Sequence, residues 1–252
     1  MKVKGNLLIF SSDNEDRIDV RKLKNKRLQV LLNEKKDLPS FEIKNSEYAK
    51  ISAENEVEKL FEISNFYMEQ LYTWADPKYY TSNEEIIITY LVVINKNDIN
   101  NMPDNLCFYD LHIKNVENTQ IQEVYLRNME KEIVYDIETI SKRRRNNIEY
   151  TNKLVEKSKV KELTAIIIHT GIKRLRTRVE NTNIAFCFLD REFTISELQQ
   201  VYEIILDKKL VSANFRKKIE PMVRKTDIVV KESAFRPSNK YIFNDEFVKN
   251  WV

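Results

Sequence analysis

The sequence predicts an α+β protein in which a mixed strand-and-helix domain is followed by a small winged helix-turn-helix domain. In residues 1–182, apolar side chains recur with the periods of both strands and helices. Residues 183–252 contain two helical patterns joined by a tight turn and then two short strand patterns, which is the order of elements in a winged helix-turn-helix. We therefore predict a domain boundary near residue 182.

Five elements are predicted between residues 6 and 93. The helix prediction rests on Val57, Leu60 and Phe61, which share one face at helical spacing, while Glu54 and Glu58 lie outside that face. The strand predictions rest on short runs of apolar or alternating residues. The predicted elements are strands at Asn6–Ser11, Leu28–Leu32, Phe66–Trp74 and Glu85–Val93, and a helix at Ile51–Ile63.

Residues 122–161 are predicted to form a long, charged helical insertion that contains the basic run Lys142–Arg145. The simplest interpretation of Arg143–Arg145 is a solvated helix face, and the alternative is a phosphate-contacting or targeting patch. The next segment, Glu162–Val179, has the apolar stripe of an amphipathic helix.

The C-terminal region carries the most specific local signals. Thr194 and Glu197 have the spacing of a capping box, which predicts that a helix begins at Ile195. After a turn at Asp207–Lys209, a second helix is predicted over Ser212–Glu220, capped by Ser212 and stopped by Pro221. Two strands, Asp227–Val230 and Lys240–Phe243, then flank a loop that forms the wing.

In such a domain the second helix enters the major groove of DNA. Asn214 suits adenine and Arg216 suits guanine, whereas neighbouring lysines suit phosphates. The opposing interpretation is that a basic helix is only a solvated face. The candidate DNA-contacting residues are Thr194, Lys209, Ser212, Asn214, Arg216, Lys217, Lys218 and Arg236.

Composition excludes several other classes of protein. Two glycines among 252 residues are too few for a Gly-rich dinucleotide or phosphate loop. Two cysteines cannot form a disulfide framework, so a reducing, cytoplasmic location is expected. No apolar run is long enough to cross a membrane.

The few reactive side chains are expected to be structural. His169 lies in an apolar helical run, which favours a core histidine with satisfied hydrogen bonds, and His112 has no neighbouring ligand at metal spacing. Cys107 and Cys187 lie between apolar residues and are expected to be buried. We predict no metal and no cofactor.

Residues 193–206 and 214–219 resemble the winged-helix segment of the Nudix-related transcriptional regulators, the NrtR family. Residues 172–176, 182–186 and 67–77 resemble that family's domain junction and the segment after its Nudix helix. The resemblance implies a Nudix-like mixed-sheet α/β/α domain before the winged helix. It also implies a homodimer that binds a palindromic operator in double-stranded DNA and responds to a nucleotide- or sugar-derived effector.

The Nudix pattern G-x5-E-x7-R-E-U-x-E-E-x-G-U can be placed over residues 41–63. Four positions agree: Glu47, Glu56, Val57 and Ile63. Five disagree, because Phe41, Asn55, Lys59, Leu60 and Glu62 stand where the pattern has Gly, Arg, Glu, Glu and Gly. A lysine and a leucine cannot replace carboxylate ligands of Mg²⁺. The sequence therefore predicts a Nudix-like sensor domain without catalytic activity.

The leading hypothesis is a sequence-specific transcriptional regulator, most simply a repressor. Its effector would stack on Tyr72, Trp74 and Tyr79, although core and loop roles explain these aromatics equally well. One alternative is a residual hydrolase of ADP-ribose-like nucleoside diphosphates. The other is an adaptor whose winged helix binds a protein.

Overall fold

The computed structural model describes residues 2–14, 25–43, 48–75, 85–155, 159–230 and 238–248. The strands are β1 (Lys2–Asn14), β2 (Lys26–Asn33), β3 (Ser40–Glu42), β4 (Tyr67–Trp74), β5 (Glu85–Val93), β6 (Leu106–Asn115), β7 (Ile121–Arg127), β8 (Glu132–Arg144), β9 (Asn147–Leu154), β10 (Val223–Val230) and β11 (Ser238–Phe243). The helices are α1 (Ala49–Phe61), α2 (Glu162–Asn181), α3 (Ile195–Leu206), α4 (Ser212–Ile219) and α5 (Asp245–Val248).

Strands β1–β9 form one mixed sheet with the order β4-β5-β1-β2-β6-β7-β8-β9, in which β3 also pairs with β1. The β1–β5 pair is parallel, and the other pairs in the described sheet are antiparallel. Side chains of β1 alternate between the two faces of the sheet. Leu7 and Ile9 pack with α1 on one face, whereas Leu8 and Phe10 pack with α2 on the other. The result is the three-layer α/β/α arrangement that was predicted.

The predicted strands and helices of residues 1–93 are confirmed, with β1 longer than expected. The helix predicted over residues 122–161 is wrong, because this segment forms β7, β8 and β9. Its buried side chains alternate along β8 at Ile133, Tyr135 and Ile137, which is the period of a strand. The basic run Arg143–Arg145 therefore lies at the end of a β-hairpin and not on a helix.

Helices α3 and α4 and strands β10 and β11 form the predicted winged helix-turn-helix. Tyr202 of α3 packs edge-on against Phe215 of α4, with ring centroids 5.2 Å apart. The segment before α3 also pairs with the wing, since the Phe193 amide donates to the Tyr241 carbonyl at 3.0 Å and the reverse bond measures 2.8 Å. One detail differs from the prediction: Val211 is the N-cap of α4 and makes no side-chain cap, so Ser212 is the first helical residue.

Helix α2 joins the two parts of the chain. One apolar cluster contains residues of the sheet, of α2 and of both winged-helix helices, including Phe10, Leu175 and Leu198. In addition, Arg176 Nε donates to the Ile205 carbonyl at 3.0 Å. The predicted boundary at residue 182 coincides with the C-cap of α2. It stays a prediction, because the segments on its two sides share this core.

Two predictions about single residues need correction. Cys107 is exposed rather than buried, since alternation along β6 turns it away from the core. His169 is buried as expected, but neither ring nitrogen has a hydrogen-bond partner within the described part of the chain. None of the helices in that part is long and apolar enough to span a bilayer.

Candidate nucleic-acid interface

Helix α4 buries one narrow face and exposes the rest. Phe215 and Ile219, four residues apart, are its buried side chains. The exposed residues of the helix are Ser212, Ala213, Asn214, Arg216, Lys217 and Lys218. A short helix with two apolar contacts is held in place by α3, so it can present a polar face to a partner without losing its core.

The exposed side chains of α4 point in different directions. At about 100° per residue, Asn214 and Arg216 lie about 160° apart around the helix axis. Ala213 and Lys217 project between them, directly away from Phe215. Asn214 and Arg216 therefore project to opposite sides of the helix, each about 80° from the direction that faces away from Phe215.

The other predicted lysines are already engaged within the domain. The Lys218 ammonium lies 5.4 Å from the centroid of the Tyr202 ring, which orients it along α3. Lys209 Nζ lies 2.9 Å from the Glu203 carboxylate but keeps most of its side chain exposed. Neither contact removes the cation from the surface, so both lysines remain available to an anionic partner.

Thr194 has a different environment from the other predicted DNA contacts. Its side chain is buried, its hydroxyl accepts a hydrogen bond from the Glu197 amide at 3.2 Å, and its own amide donates to the Glu197 carboxylate at 2.7 Å. Lys240 of β11 reaches the same carboxylate at 3.3 Å. The predicted capping box is therefore present, and it also connects α3 to the wing.

The structure adds two cations that the sequence analysis missed. Arg224 and Lys225 are exposed on β10, which begins four residues earlier than predicted. Their consecutive positions show no alternation of apolar and polar residues, so the sequence carries no strand signal there that could have found them. Arg236 lies outside the described residues.

Two of the three predicted effector residues, Tyr72 and Trp74, are described, and they differ in exposure. Tyr72 is 55% exposed, whereas Trp74 is buried and donates from Nε1 to the Thr89 hydroxyl at 3.0 Å. The two rings touch, with centroids 4.8 Å apart. Tyr79 and Glu47 lie outside the described residues. A role for these aromatics in effector binding stays a prediction.

A polar cleft instead lies on the α1 side of the sheet and continues toward α3. It consists of two adjoining depressions of about 930 and about 1020 Å³ that share Arg27, Asp110 and Arg127. Asp110 accepts from Arg27 and from Gln29, each at 2.7 Å. The Arg27 Nε–H is buried without a hydrogen-bond partner among the described residues.

The described part of the segment that aligns with the Nudix pattern contains the end of β3, helix α1 and the two residues after this helix. Lys59 is exposed on this helix, and Leu60 packs with the apolar cluster around Val57 and Phe61. Glu62, at the last Gly of the pattern, has φ 52° and ψ 45°. The left-handed conformation that favours glycine is therefore kept although the glycine is not.

Comparison with known proteins decides the type of the C-terminal domain. Residues 185–243 match the family model of the NrtR DNA-binding winged helix domain. These residues form an NrtR-type winged helix. The match contains α3, α4 and both strands of the wing. It also contains all eight predicted DNA contacts, seven of which are among the described residues.

Solved structures share the fold of the whole chain. NrtR of Shewanella oneidensis, in a crystal structure with a 27mer DNA, aligns with a TM-score of 0.66 at 14% identity and covers 98% of this chain and 95% of its own. The same protein without DNA aligns with a TM-score of 0.65 at 15% identity, and the alignment covers 97% of this chain and 94% of the Shewanella chain. A MutT/nudix family protein from Enterococcus faecalis aligns with a TM-score of 0.65 at 15% identity, and the alignment covers 96% of this chain and 86% of the Enterococcus chain. No curated protein sequence matches significantly.

The architecture is therefore a Nudix-like α/β/α domain followed by the NrtR-type winged helix, as the sequence predicted. The β8–β9 hairpin and the polar cleft lie largely outside the matched segment 185–243.

Proposed function

We propose that the protein is a sequence-specific, DNA-binding transcriptional regulator that acts as a repressor. The observation that carries this proposal is the exposed face of α4, on which Asn214, Arg216 and Lys217 project from a domain of the NrtR winged-helix type. In support, the Shewanella oneidensis protein of the same fold has been crystallised with a 27mer DNA.

In this proposal α4 lies in the major groove. Asn214 pairs with adenine and Arg216 with guanine through two hydrogen bonds each, on opposite sides of the helix. Lys209, Lys217 and the amides at the start of α4 contact phosphates. On the wing, Arg224 and Lys225 contact the backbone of the flanking duplex.

The Nudix-like domain serves in dimerisation and ligand sensing. We propose that it lacks hydrolase activity, because Lys59 and Leu60 stand where metal-binding glutamates are expected. The effector is an anionic, nucleotide- or sugar-derived molecule, and the polar cleft at Arg27 is the place where it binds. It changes operator affinity by preferring one of two dimer arrangements.

Selection of DNA sites from a random pool, at about 0.15 M salt to suppress nonspecific phosphate binding, tests the regulator proposal. Recovery of a palindromic site supports a dimer that binds specific sequences. A pool that stays random with weak binding would refute DNA recognition and favour the adaptor.

Two variants with matched charge then assign the roles of α4 residues. We expect Arg216→Ala to cost about 1–3 kcal/mol and to relax one base position of the selected site. Lys217→Ala, which removes the same charge from the adjacent position, weakens all sequences equally. If both variants lose affinity uniformly, Arg216 contacts only phosphate.

Hydrolase activity is tested separately. We expect no Mg²⁺- or Mn²⁺-dependent release of AMP or phosphate from ADP-ribose. Turnover that is abolished by Glu56→Gln would revive the enzyme alternative.

A further inference from the structure

The β8–β9 hairpin extends well beyond the rest of the sheet. Strand β7 pairs with β8 only as far as Ile121 and Glu138. The Thr139 amide still donates to the Gln120 carbonyl at 2.9 Å, and from Ile140 with Thr151 to Arg144 with Asn147 β8 pairs with β9 alone. Every residue from 140 to 151 is exposed. We call residues 139–152 the ribbon.

The ribbon is strongly cationic. Residues 140–151 contain Lys142, Arg143, Arg144 and Arg145 but a single acidic residue, Glu149. Glu149 pairs with Arg144 at 3.0 Å, and the other three cations have no ion pair among the described residues. The net charge of this short segment, +3, equals that of the entire chain, so the remainder of the protein is neutral overall.

The cations surround the ribbon rather than lining one face. Lys142 and Arg144 project from one side of β8, Arg143 projects from the other, and Arg145 occupies the turn with φ 48°. A ribbon that carries positive charge on both faces cannot bury either of them against an apolar protein surface at low cost. It can enter or lie across a polyanionic groove, whose dimensions admit a two-stranded ribbon.

The base of the ribbon is fixed to the protein. Lys173 of α2 donates to the Thr139 hydroxyl at 3.3 Å and to the Asn152 side-chain oxygen at 3.4 Å. Leu154, two residues beyond the ribbon, packs against the main apolar cluster. The tip is therefore carried on an anchored hairpin and not on a free loop.

The ribbon and the helix-turn-helix lie beyond the same end of the sheet. The turn between α3 and α4, at Lys208 and Lys209, borders the cleft beside Lys26 and Lys114. Lys114 is the penultimate residue of β6. Because the end of β6 pairs with the start of β7, and Ile121 of β7 pairs with Glu138 of β8, Glu138 lies at the same end of the sheet as Lys114. From Glu138 the ribbon continues for about 20 Å, given about 3.3 Å per residue.

We propose that the ribbon is an accessory nucleic-acid contact that binds the phosphate backbone of DNA flanking the bases contacted by α4. This proposal rests on the proposed DNA binding, and its test separates the two. Lys142, Arg143 and Arg145 bind phosphates and release counterions, adding affinity without base preference.

The test compares two triple variants with equal loss of charge. The ribbon variant is Lys142→Ser, Arg143→Ser and Arg145→Ser, which leaves the Arg144–Glu149 pair in place. The control variant is Lys35→Ser, Lys50→Ser and Lys59→Ser, three exposed lysines on the β2–β3 turn and α1. Because all six side chains are exposed, both variants should keep the wild-type far-UV circular dichroism and urea midpoint.

The measurement is the dissociation constant for the selected duplex as a function of salt, with short and extended flanks. We expect the ribbon variant to reduce the slope of log K against log salt by about 2–3 and to weaken binding about ten- to a hundredfold at 0.15 M salt, on extended duplexes only. The selected base sequence should not change. The control variant should match the wild type in its dependence on flank length.

Three results would overturn the proposal. If the wild type binds specific DNA and the ribbon variant behaves as the control variant, the ribbon contact is wrong and DNA recognition by α4 stands. If the ribbon variant changes the sedimentation coefficient without DNA, the ribbon binds a second copy of the chain instead. If the wild type binds no specific DNA, both the ribbon contact and the proposed function are refuted.

Discussion

The capping box at the start of α3 allows a direct test of whether Thr194 is structural or contacts DNA. Thr194→Ala removes a hydroxyl that accepts a hydrogen bond from the Glu197 amide at 3.2 Å, in a side chain that is 2% exposed. The Glu197 carboxylate keeps its bond from the residue 194 amide, so half of the box survives. Loss of an N-cap hydroxyl lowers the free energy of unfolding by about 1–2 kcal/mol. Thr194→Ser keeps the hydroxyl and should recover most of this loss.

The assay is urea unfolding followed by far-UV circular dichroism, together with DNA affinity at a temperature where each variant is fully folded. A purely structural Thr194 gives lower stability for Thr194→Ala and unchanged affinity for the selected duplex. Refutation would take one of two forms. An unchanged urea midpoint would show that the cap does not contribute, and a tenfold loss of affinity in the folded variant would show that the hydroxyl contacts DNA.

Three further predictions concern stability. Glu62→Gly should raise the free energy of unfolding by about 1 kcal/mol, because Glu62 is exposed and has φ 52°, a conformation that glycine adopts without strain. Glu62→Ala keeps the Cβ and should leave the free energy of unfolding unchanged. Equal effects of the two variants would contradict the strain argument. Gly171→Ala should lower the free energy of unfolding by about 1–3 kcal/mol, because the added Cβ would lie 2.0 Å from Leu8 Cδ2. An unchanged free energy of unfolding would mean that Leu8 repacks freely. Burial lowers the pKa of His169 to about 3, so the unfolded chain binds a proton below about pH 6.5 that the folded chain excludes. Stability should therefore fall by up to about 1.4 kcal/mol per pH unit between pH 6 and 4 through this residue. The variant His169→Leu should lose less over this range, and identical pH profiles would argue against a neutral, buried His169.

The sequence predicted the central strands because their composition leaves little choice. Val30–Leu32 and Leu91–Val93 are apolar on consecutive positions, as in strands covered on both faces, and β2 and β5 indeed lie inside the three-layer core. The α3 helix was equally predictable, since its capping box and apolar stripe agree with each other. Local chemistry and burial point to the same structure in these segments.

The prediction of a helix over residues 122–161 is wrong because β8 buries only one face of the sheet and residues 140–151 are fully exposed. Only every second residue of β8 is buried, and beyond Glu138 neither strand buries a face that could set a period. The high content of charged residues in this exposed segment is then the same as in a solvent-exposed helix. The hairpin forms through backbone pairing of β8 with β9 across a tight turn, and composition does not report this pairing.

The exposed face of α4 and the two wing strands are predictable from the sequence, but the position of the wing against the start of α3 is not. The exposed residues of α4 follow from two apolar positions four apart, which the sequence shows. In contrast, the pairing of Phe193 with Tyr241 connects residues almost fifty positions apart and fixes where the wing lies. Trp74 illustrates the same limit, because its burial depends on Thr89 of a neighbouring strand.

The scarcity of glycine has a narrower meaning than the sequence suggests. Within the described chain, the left-handed conformation occurs at Lys36, Glu62, Asn118, Arg145 and Asp207, and at neither glycine. Gly5 and Gly171 are instead sites of close packing, where an added Cβ would lie 2.0 Å from Phe41 and Leu8. Non-glycine residues in these turns cost about 1 kcal/mol each, which the surrounding hydrogen bonds offset. A glycine-poor sequence therefore argues against loops in which a ligand phosphate approaches the backbone closely, but it does not argue against tight turns such as the one that closes the ribbon.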